Sequence, residues 1–331
     1  MRWGVLGTAR TARKRVLPAI LRAGHSIVAI AGRDPGRLAE FQSQFGIACA
    51  YSWKAADRLL EHSSMDAVYI PLPNSMHAEW TMRALHAGKH VLCEKPMALT
   101  VAEADLVISA AADNNCVLME NFSYQFAPAF QYLAKLQTPL KVVSLSHSFQ
   151  ATEEHRLRYN HALGGGSFLD LGCYCVDLVH RLFDSAITID RVRATAPAPG
   201  RRAWGLVDEM CGLSGRTSSG IAISIESSFS EFAAQDAILD FVDPSQPKRS
   251  IRRIFRADPA NPAEISSLDA GSPPLQTFEP FDTEVALLNA FAEMTAAPAT
   301  NPADTLRWRR NASVLEQVQS RIAEQLGIHA R

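Results

Sequence analysis

The sequence predicts an α/β N-terminal domain on a doubly wound parallel sheet, followed by an α+β C-terminal domain with an open, predominantly antiparallel sheet. Three observations predict it. Over residues 1–122, short β-branched runs alternate with longer helical patterns, and parallel neighbours need such crossover helices. From 187 to 255 the pattern becomes strand after strand, which suits antiparallel neighbours joined by turns. A chain of 331 residues, 47% of them apolar, is long enough for two domains with sizeable cores.

In chain order, the first domain reads as strands at 2–6, 27–31, 66–71, 89–93 and 116–119, with helices at 34–45, 54–62, 75–87 and 100–114 between them. Asp34 followed by Pro35 is a helix start, an N-cap acceptor before a residue that needs no N–H partner. After Phe122 come a helix at 128–136, a strand at 141–150 and a polar loop. Gly164-Gly165-Gly166 then opens another helix. The clearest later strands are 192–194, 221–229 and 237–242. A loop rich in Pro, Ala, Asp and Ser follows at 259–274, and helices at 282–295 and 303–326 close the chain. The expected division is 1–122 and 123–331, with the 303–326 helix packing back on the first domain.

Thirty-three Lys plus Arg against 34 Asp plus Glu give a formal charge of −1. That balance does not advertise a nucleic-acid partner. Uninterrupted apolar runs fall short of the ~18–20 residues that cross a bilayer, so no membrane association is expected. Met1 leads into Arg2, and Arg10, Arg13, Lys14 and Arg15 follow at once, so no signal peptide is read and a cytoplasmic location is expected. Six scattered cysteines at 49, 93, 116, 173, 175 and 211 lack a C-x-x-C pair. They read as thiols, with no metal site.

Gly7-Thr8-Ala9-Arg10-Thr11-Ala12 follows the first strand and opens a helix. It is a degenerate G-x-G-x-x-G: a glycine for the tight turn, a small residue where backbone meets a pyrophosphate, and a third for helix–sheet packing. Such turns also occur for packing alone. NAD readers place Asp or Glu at the end of the second strand, where it accepts from the ribose 2′-OH. Residues 27–33 contain no acid, and Asp34 is spent on capping. Arg33, with Arg37 one turn along the helix, offers guanidinium donors to a 2′-phosphate, so NADP is expected ahead of NAD. Without the missing acid, both would read as solvated surface arginines.

Residues 88–100, Gly-Lys-His-Val-Leu-Cys-Glu-Lys-Pro-Met-Ala-Leu-Thr, with Pro73-Asn74 and His77 upstream, resemble the Gfo/Idh/MocA family, named for glucose–fructose oxidoreductase and inositol dehydrogenase. One signature is Glu94-Lys95-Pro96 at a strand end. The other is the glycine run followed by Asp170-Leu171-Gly172-Cys173-Tyr174-Cys175-Val176-Asp177. The resemblance is clear over 2–125 and 150–185. It implies a Rossmann domain with Leu72, Pro73, Asn74, His77, Glu94 and Lys95 at the cofactor, an open-faced sheet domain, substrate between the two, and a homodimer or homotetramer formed through that sheet. The alternating Ile221, Ile223 and Ile225 suit either such a face or a core.

Lys95 falls at the carboxyl edge of its strand, where open α/β sheets bind ligands. An ammonium there can hydrogen-bond a reacting oxygen and stabilise alkoxide character. Asp170, Tyr174 and Asp177 lie at i, i+4 and i+7, within about 60° of one another on an α-helix. An ordinary amphipathic helix carries such a wet stripe too; the glycine run, which lets backbone approach something closely, favours a site. Many family members carry His at the place of Tyr174. Tyr resembles the branch of glucose–fructose oxidoreductase and dimeric dihydrodiol dehydrogenase. A phenol with an ordinary pKa near 10 is ready to donate a proton, and a nearby Lys95 would lower that value.

The expected roles are Tyr174 as acid/base, Lys95 assisting it, and Asp170, Asp177 and Arg158 around the substrate. Arg156, Arg158, Tyr159, Asn160 and His161 crowd the loop before the glycines, and Gln125 stands where relatives often have Arg. The expected function is NADP-dependent hydride transfer on a sugar, polyol or related hydroxy or carbonyl compound. Alternatives are a trans-dihydrodiol or D-xylose dehydrogenase, an NAD-dependent glycosidase, which resembles the His version, and a non-catalytic NADP-sensing regulator, which need not keep both Lys95 and Tyr174.

Overall fold

The computed structural model describes residues 1–136, 139–230, 234–255, 262–268, 274–296 and 301–328. Two compact units emerge, Met1–Ser123 with Asp282–Thr305, and Tyr124–Phe281 with Leu306–Arg331.

The first unit runs β1 (Arg2–Leu6), a π-helical turn (Ala12–Val16) leading into α1 (Leu17–Arg22), β2 (Ser26–Gly32), α2 (Pro35–Phe45), β3 (Cys49–Ser52), α3 (Asp57–Leu60), β4 (Ala67–Ile70), α4 (His77–His86), β5 (His90–Cys93), α5 (Val101–Asp113) and β6 (Leu118–Glu120). All strand pairs are parallel, in the order β3-β2-β1-β4-β5-β6. The central strands are continuous apolar runs because both faces are covered. Asp34 caps α2 as expected, its side chain accepting from Arg37 N at 3.0 Å, with Pro35 in the first turn.

Strand β3 of this unit was not expected; it lies at the sheet edge and alternates half-buried with exposed positions. Its Cys-Ala-Tyr-Ser lacks the β-branched run by which the other strands are read.

The second unit contains α6 (Pro128–Ala134), β7 (Leu140–Ser148), a π-helical turn (Phe168–Gly172) leading into α7 (Cys173–Phe183), and the strands β8 (Ile187–Thr195), β9 (Met210–Thr217), β10 (Ala222–Ser228), β11 (Ala234–Phe241), β12 (Arg249–Arg252), β13 (Glu264–Ser267) and β14 (Gln276–Thr277). They form one sheet in the order β14-β13-β12-β11-β7-β10-β9-β8, antiparallel except for the β10–β7 pair. Ile223 and Ile225 are buried, so that run is core. The other face presents Ser144, Ser146, Ser214 and Ser224 at paired positions, none of them buried. Strand β13 lies inside the stretch expected to be a loop; residues 259–261 and 269–273 of that stretch fall outside the described residues.

The chain ends with α8 (Thr283–Thr295) and α9 (Pro302–Leu326). The expected division is corrected here. Helix α8 belongs to the first unit, where Phe291 packs on Trp3 with ring centroids 5.1 Å apart and Asp282 pairs with Arg22 at 2.7 Å. Helix α9 from Leu306 onward belongs to the second, where Gln325 caps β8 backbone at Ala194 N (3.0 Å) and Val192 O (3.0 Å). Segment His161–Phe183 is long and apolar enough by composition to cross a bilayer, which the charge-free runs did not suggest. However, 78% of its most apolar window is buried inside the protein, as in the core helix of a globular fold.

Candidate active site

The turn after β1 is shaped by Gly7, whose φ of +119° is open to glycine and strained for other residues. A Cβ there would also sit 3.2 Å from the Pro71 carbonyl oxygen. Ala12 is fully buried and fills the third-glycine role. The first helical turn after it carries no acid and the bases Arg13, Lys14 and Arg15, a charge pattern that suits an anionic diphosphate. Thr8 and Ala9 are half-buried, and Arg10, Arg33 and Arg37 are exposed. No carboxylate occurs in β2. These features fit a dinucleotide with a 2′-phosphate.

At the carboxyl ends of β4 and β5 the backbone is heavily braced. Glu94 Oε1 accepts from Tyr69 Oη at 2.6 Å and from Asn121 Nδ2 at 2.8 Å. Glu120 accepts from Met97 N at 2.8 Å. The buried His77 faces Leu72 O at 2.8 Å with Nε2 and Pro96 O at 2.7 Å with Nδ1. Burial pushes its imidazole below the ordinary value. His77 was expected to touch cofactor. Its ring nitrogens lie against backbone carbonyls of the 72–74 loop and of the loop of Lys95, and a neutral imidazole donates to one of the two; Glu94 spends an oxygen on bracing. Lys95 itself is half-buried, and so are Leu72, Pro73 and Asn74 on the loop after β4.

In the second unit, Asp170 and Tyr174 are half-exposed, while Asp177 is fully buried. The expected trio thus separates: Tyr174 and Asp177 lie three residues apart on the regular turns of α7 in different surroundings, and Asp170 lies in the π-helical turn before them. Asp177 accepts from Tyr124 Oη at 2.6 Å, Arg181 Nε at 2.6 Å and Asn311 Nδ2 at 2.9 Å, and Arg307 stands 3.3 Å away. Burial opposes its charge, but Arg181, Arg307 and these hydrogen bonds outweigh that and hold the carboxyl below its usual value. Asp177 is therefore an internal hub and not the substrate contact that the helical projection placed there. Gln125 Oε1 accepts from Arg181 at 2.7 Å.

Tyr174 stands among rings that the sequence did not single out. Its ring lies 4.9 Å from His147, 5.5 Å from Phe255 and 6.1 Å from Tyr124. These partners come from β7, from the segment after β12 and from before α6, separations that no periodicity reveals. Asp170 pairs with Arg158, whose guanidinium also lies 5.2 Å above the Phe149 ring. The side chain of Arg156 lies outside the described residues. The glycine run does provide close approach, though to protein: a Cβ on Gly165 would collide with the carbonyl oxygens of Arg158 and Asn160, and one on Gly166 with the Asp208 carboxylate.

Residues 1–122 match the oxidoreductase family with an NAD-binding Rossmann fold, and residues 139–241 match the GFO/IDH/MocA C-terminal domain. The chain is 35% identical over 309 residues, 92% of either chain, to a D-xylose 1-dehydrogenase (NADP(+)) from Haloferax volcanii. The fold matches an aldose-aldose oxidoreductase from Caulobacter crescentus with a TM-score of 0.82 at 25% identity, over 97% of this chain and 98% of that one. It also matches a 3-ketoreductase from Actinomadura kijaniata in complex with NADP and TDP-benzene, with a TM-score of 0.85 at 24% identity over 97% of each chain. The chain belongs to the GFO/IDH/MocA family of oxidoreductases.

Proposed function

We propose that this chain is an NADP-dependent oxidoreductase that moves hydride between nicotinamide and a sugar, polyol or related hydroxy or carbonyl compound, with D-xylose as the first substrate to test. The observation that carries the reading is that Asp170 and Tyr174 stay partly exposed on a helix whose third polar residue, Asp177, is sealed. The similarity to an NADP-dependent xylose dehydrogenase over nearly the whole chain supports the cofactor and the substrate class.

Bound NADP supplies the hydride acceptor or donor. Lys95 hydrogen-bonds the reacting oxygen and stabilises its negative charge. Tyr174 takes the hydroxyl proton in oxidation, or returns one to the carbonyl oxygen in reduction. Asp170, steadied by Arg158, accepts from substrate hydroxyls. Gly7, Thr8, Ala9 and Arg10 form the diphosphate turn, and Arg33 and Arg37 hold the 2′-phosphate. A second copy of the chain covers the serine-lined sheet face in this reading.

A trans-dihydrodiol substrate is the second reading, favoured by the rings of Tyr124, His147 and Phe255 around Tyr174, a wall suited to a flat carbocycle. A trans-1,2-dihydrobenzene-1,2-diol dehydrogenase from Xenopus laevis is 31% identical over 55% of this chain and 57% of its own length. Reduced-nicotinamide absorbance across aldoses, polyols, ketosugars and trans-dihydrodiols, with NADP+ and with NAD+, tests both. Aldose turnover that prefers NADP+ is expected. Binding of NADP+ with no turnover on any arm contradicts the proposed substrate class, and preference for NAD+ contradicts the assignment of Arg33.

A further inference from the structure

Two adjacent buried acids, Asp208 and Glu209, precede β9 and take no part in the chemistry above. Asp208 is 1% exposed and Glu209 4%, so each must have found partners to remain there. Their side chains reach different segments.

Asp208 reaches the helix. Its Oδ2 accepts from Phe168 N at 2.7 Å and Ser167 Oγ at 2.9 Å, and its carbonyl accepts from Ser167 N at 2.9 Å. Ser167 makes no side-chain cap of its own, so the first N–H groups of the helix carrying Asp170 and Tyr174 are satisfied from another segment.

Glu209 reaches the loop. It accepts from Tyr159 Oη at 3.0 Å and Ala198 N at 2.8 Å, and pairs with Arg201. Tyr159 is fully buried, and the backbone on either side of it is locked to the glycine run: Arg158 O accepts from Gly166 N at 2.8 Å and Asn160 O from Gly165 N at 2.9 Å. The side chain next to Tyr159 is Arg158, the partner of Asp170.

We propose that Asp208 and Glu209 act, with Tyr159, as a two-sided clamp of positioning residues that sets the Arg158–Asp170 pair for recognition of substrate hydroxyls. Asp208 fixes the helix that bears Asp170; Glu209 fixes, through Tyr159, the loop that bears Arg158. The inference rests on the reading that this pair contacts substrate, and names what holds it in register.

Steady-state kinetics with NADP+ and D-xylose, or whichever aldose of the panel is turned over, test the clamp in a double-mutant cycle of Tyr159→Phe and Arg158→Ala. Tyr159→Phe deletes the hydroxyl that reaches Glu209. We expect KM for the aldose to rise about tenfold with kcat changed less than about threefold and NADP affinity unchanged. In the Arg158→Ala background the same substitution should add nothing, because its effect runs through Arg158. Glu209→Ala removes the acceptor for Tyr159 and should raise KM as Tyr159→Phe does; it also serves if Tyr159→Phe does not fold, since a wild-type KM in Glu209→Ala overturns the clamp. Additive effects of Tyr159→Phe and Arg158→Ala overturn the clamp alone. A wild-type KM for Arg158→Ala overturns the reading of the pair as a substrate contact, and the clamp with it.

Discussion

Asp208 and Asp177 are both buried carboxylates with opposite electrostatics. Asp208 has hydroxyl and backbone N–H donors but no cation among the described residues, and burial pushes its carboxyl up from 3.8 to about 6. A carboxyl raised in the folded state favours the protonated form. Its contribution to stability is therefore present below pH ~4 and lost as pH rises through about 6, amounting to roughly 3 kcal/mol at most. Denaturant midpoints at pH 4, 5, 6 and 7 should show that component in wild type and lack it in Asp208→Asn; parallel profiles contradict it. Asp177, in contrast, is held ionised by Arg181 and Arg307. Asp177→Ala leaves those guanidinium groups without their shared acceptor and should cost about 3–5 kcal/mol in urea unfolding. A loss under 1 kcal/mol would show that the hub is dispensable.

At the scale of elements, the glycine run shows how far sequence reasoning reached. It told that Gly164–166 opens a helix and that something comes close. It could not tell that the close neighbour is the 158–160 backbone, because loop-to-loop contacts carry no period. The α-helical projection that grouped Asp170, Tyr174 and Asp177 could not tell that the Asp177 end of the stripe is sealed by Tyr124, Arg181 and Asn311, partners from elsewhere in the chain and from the next helical turn. The signals that held were chemical punctuation: Asp34-Pro35 as a cap, Gly7 as a turn, and Glu94-Lys95-Pro96 at a strand end. Gly165→Ala places a methyl against two carbonyl oxygens and should destabilise the protein by about 1–3 kcal/mol, with KM for substrate rising as the loop shifts. Wild-type thermal stability in that variant would contradict the packing described for the run.

For the whole molecule, family and architecture were legible because alternating strands and helices and two short motifs are local features. The return of α8 to the first unit was not, since the contacts of Phe291 and Asp282 with Trp3 and Arg22 join residues at opposite ends of the chain. The open sheet face leads to one prediction at this scale. Ile238 of β11, 37% exposed, sits opposite Ser144 of β7 on that face. Sedimentation should give a mass two or four times the 36.2 kDa chain, and Ile238→Glu should shift it toward monomer; a monomeric wild type contradicts the proposed pairing.

Single-turnover reduction of NADP+ by the aldose that gives turnover, in wild type and in Tyr174→Phe, tests the central claim most directly. The proposed role predicts that the variant binds NADP+ as tightly as wild type and loses about 10²–10⁴-fold in the chemical step. A hydride-transfer rate in Tyr174→Phe within threefold of wild type would contradict Tyr174 as the group that moves the proton.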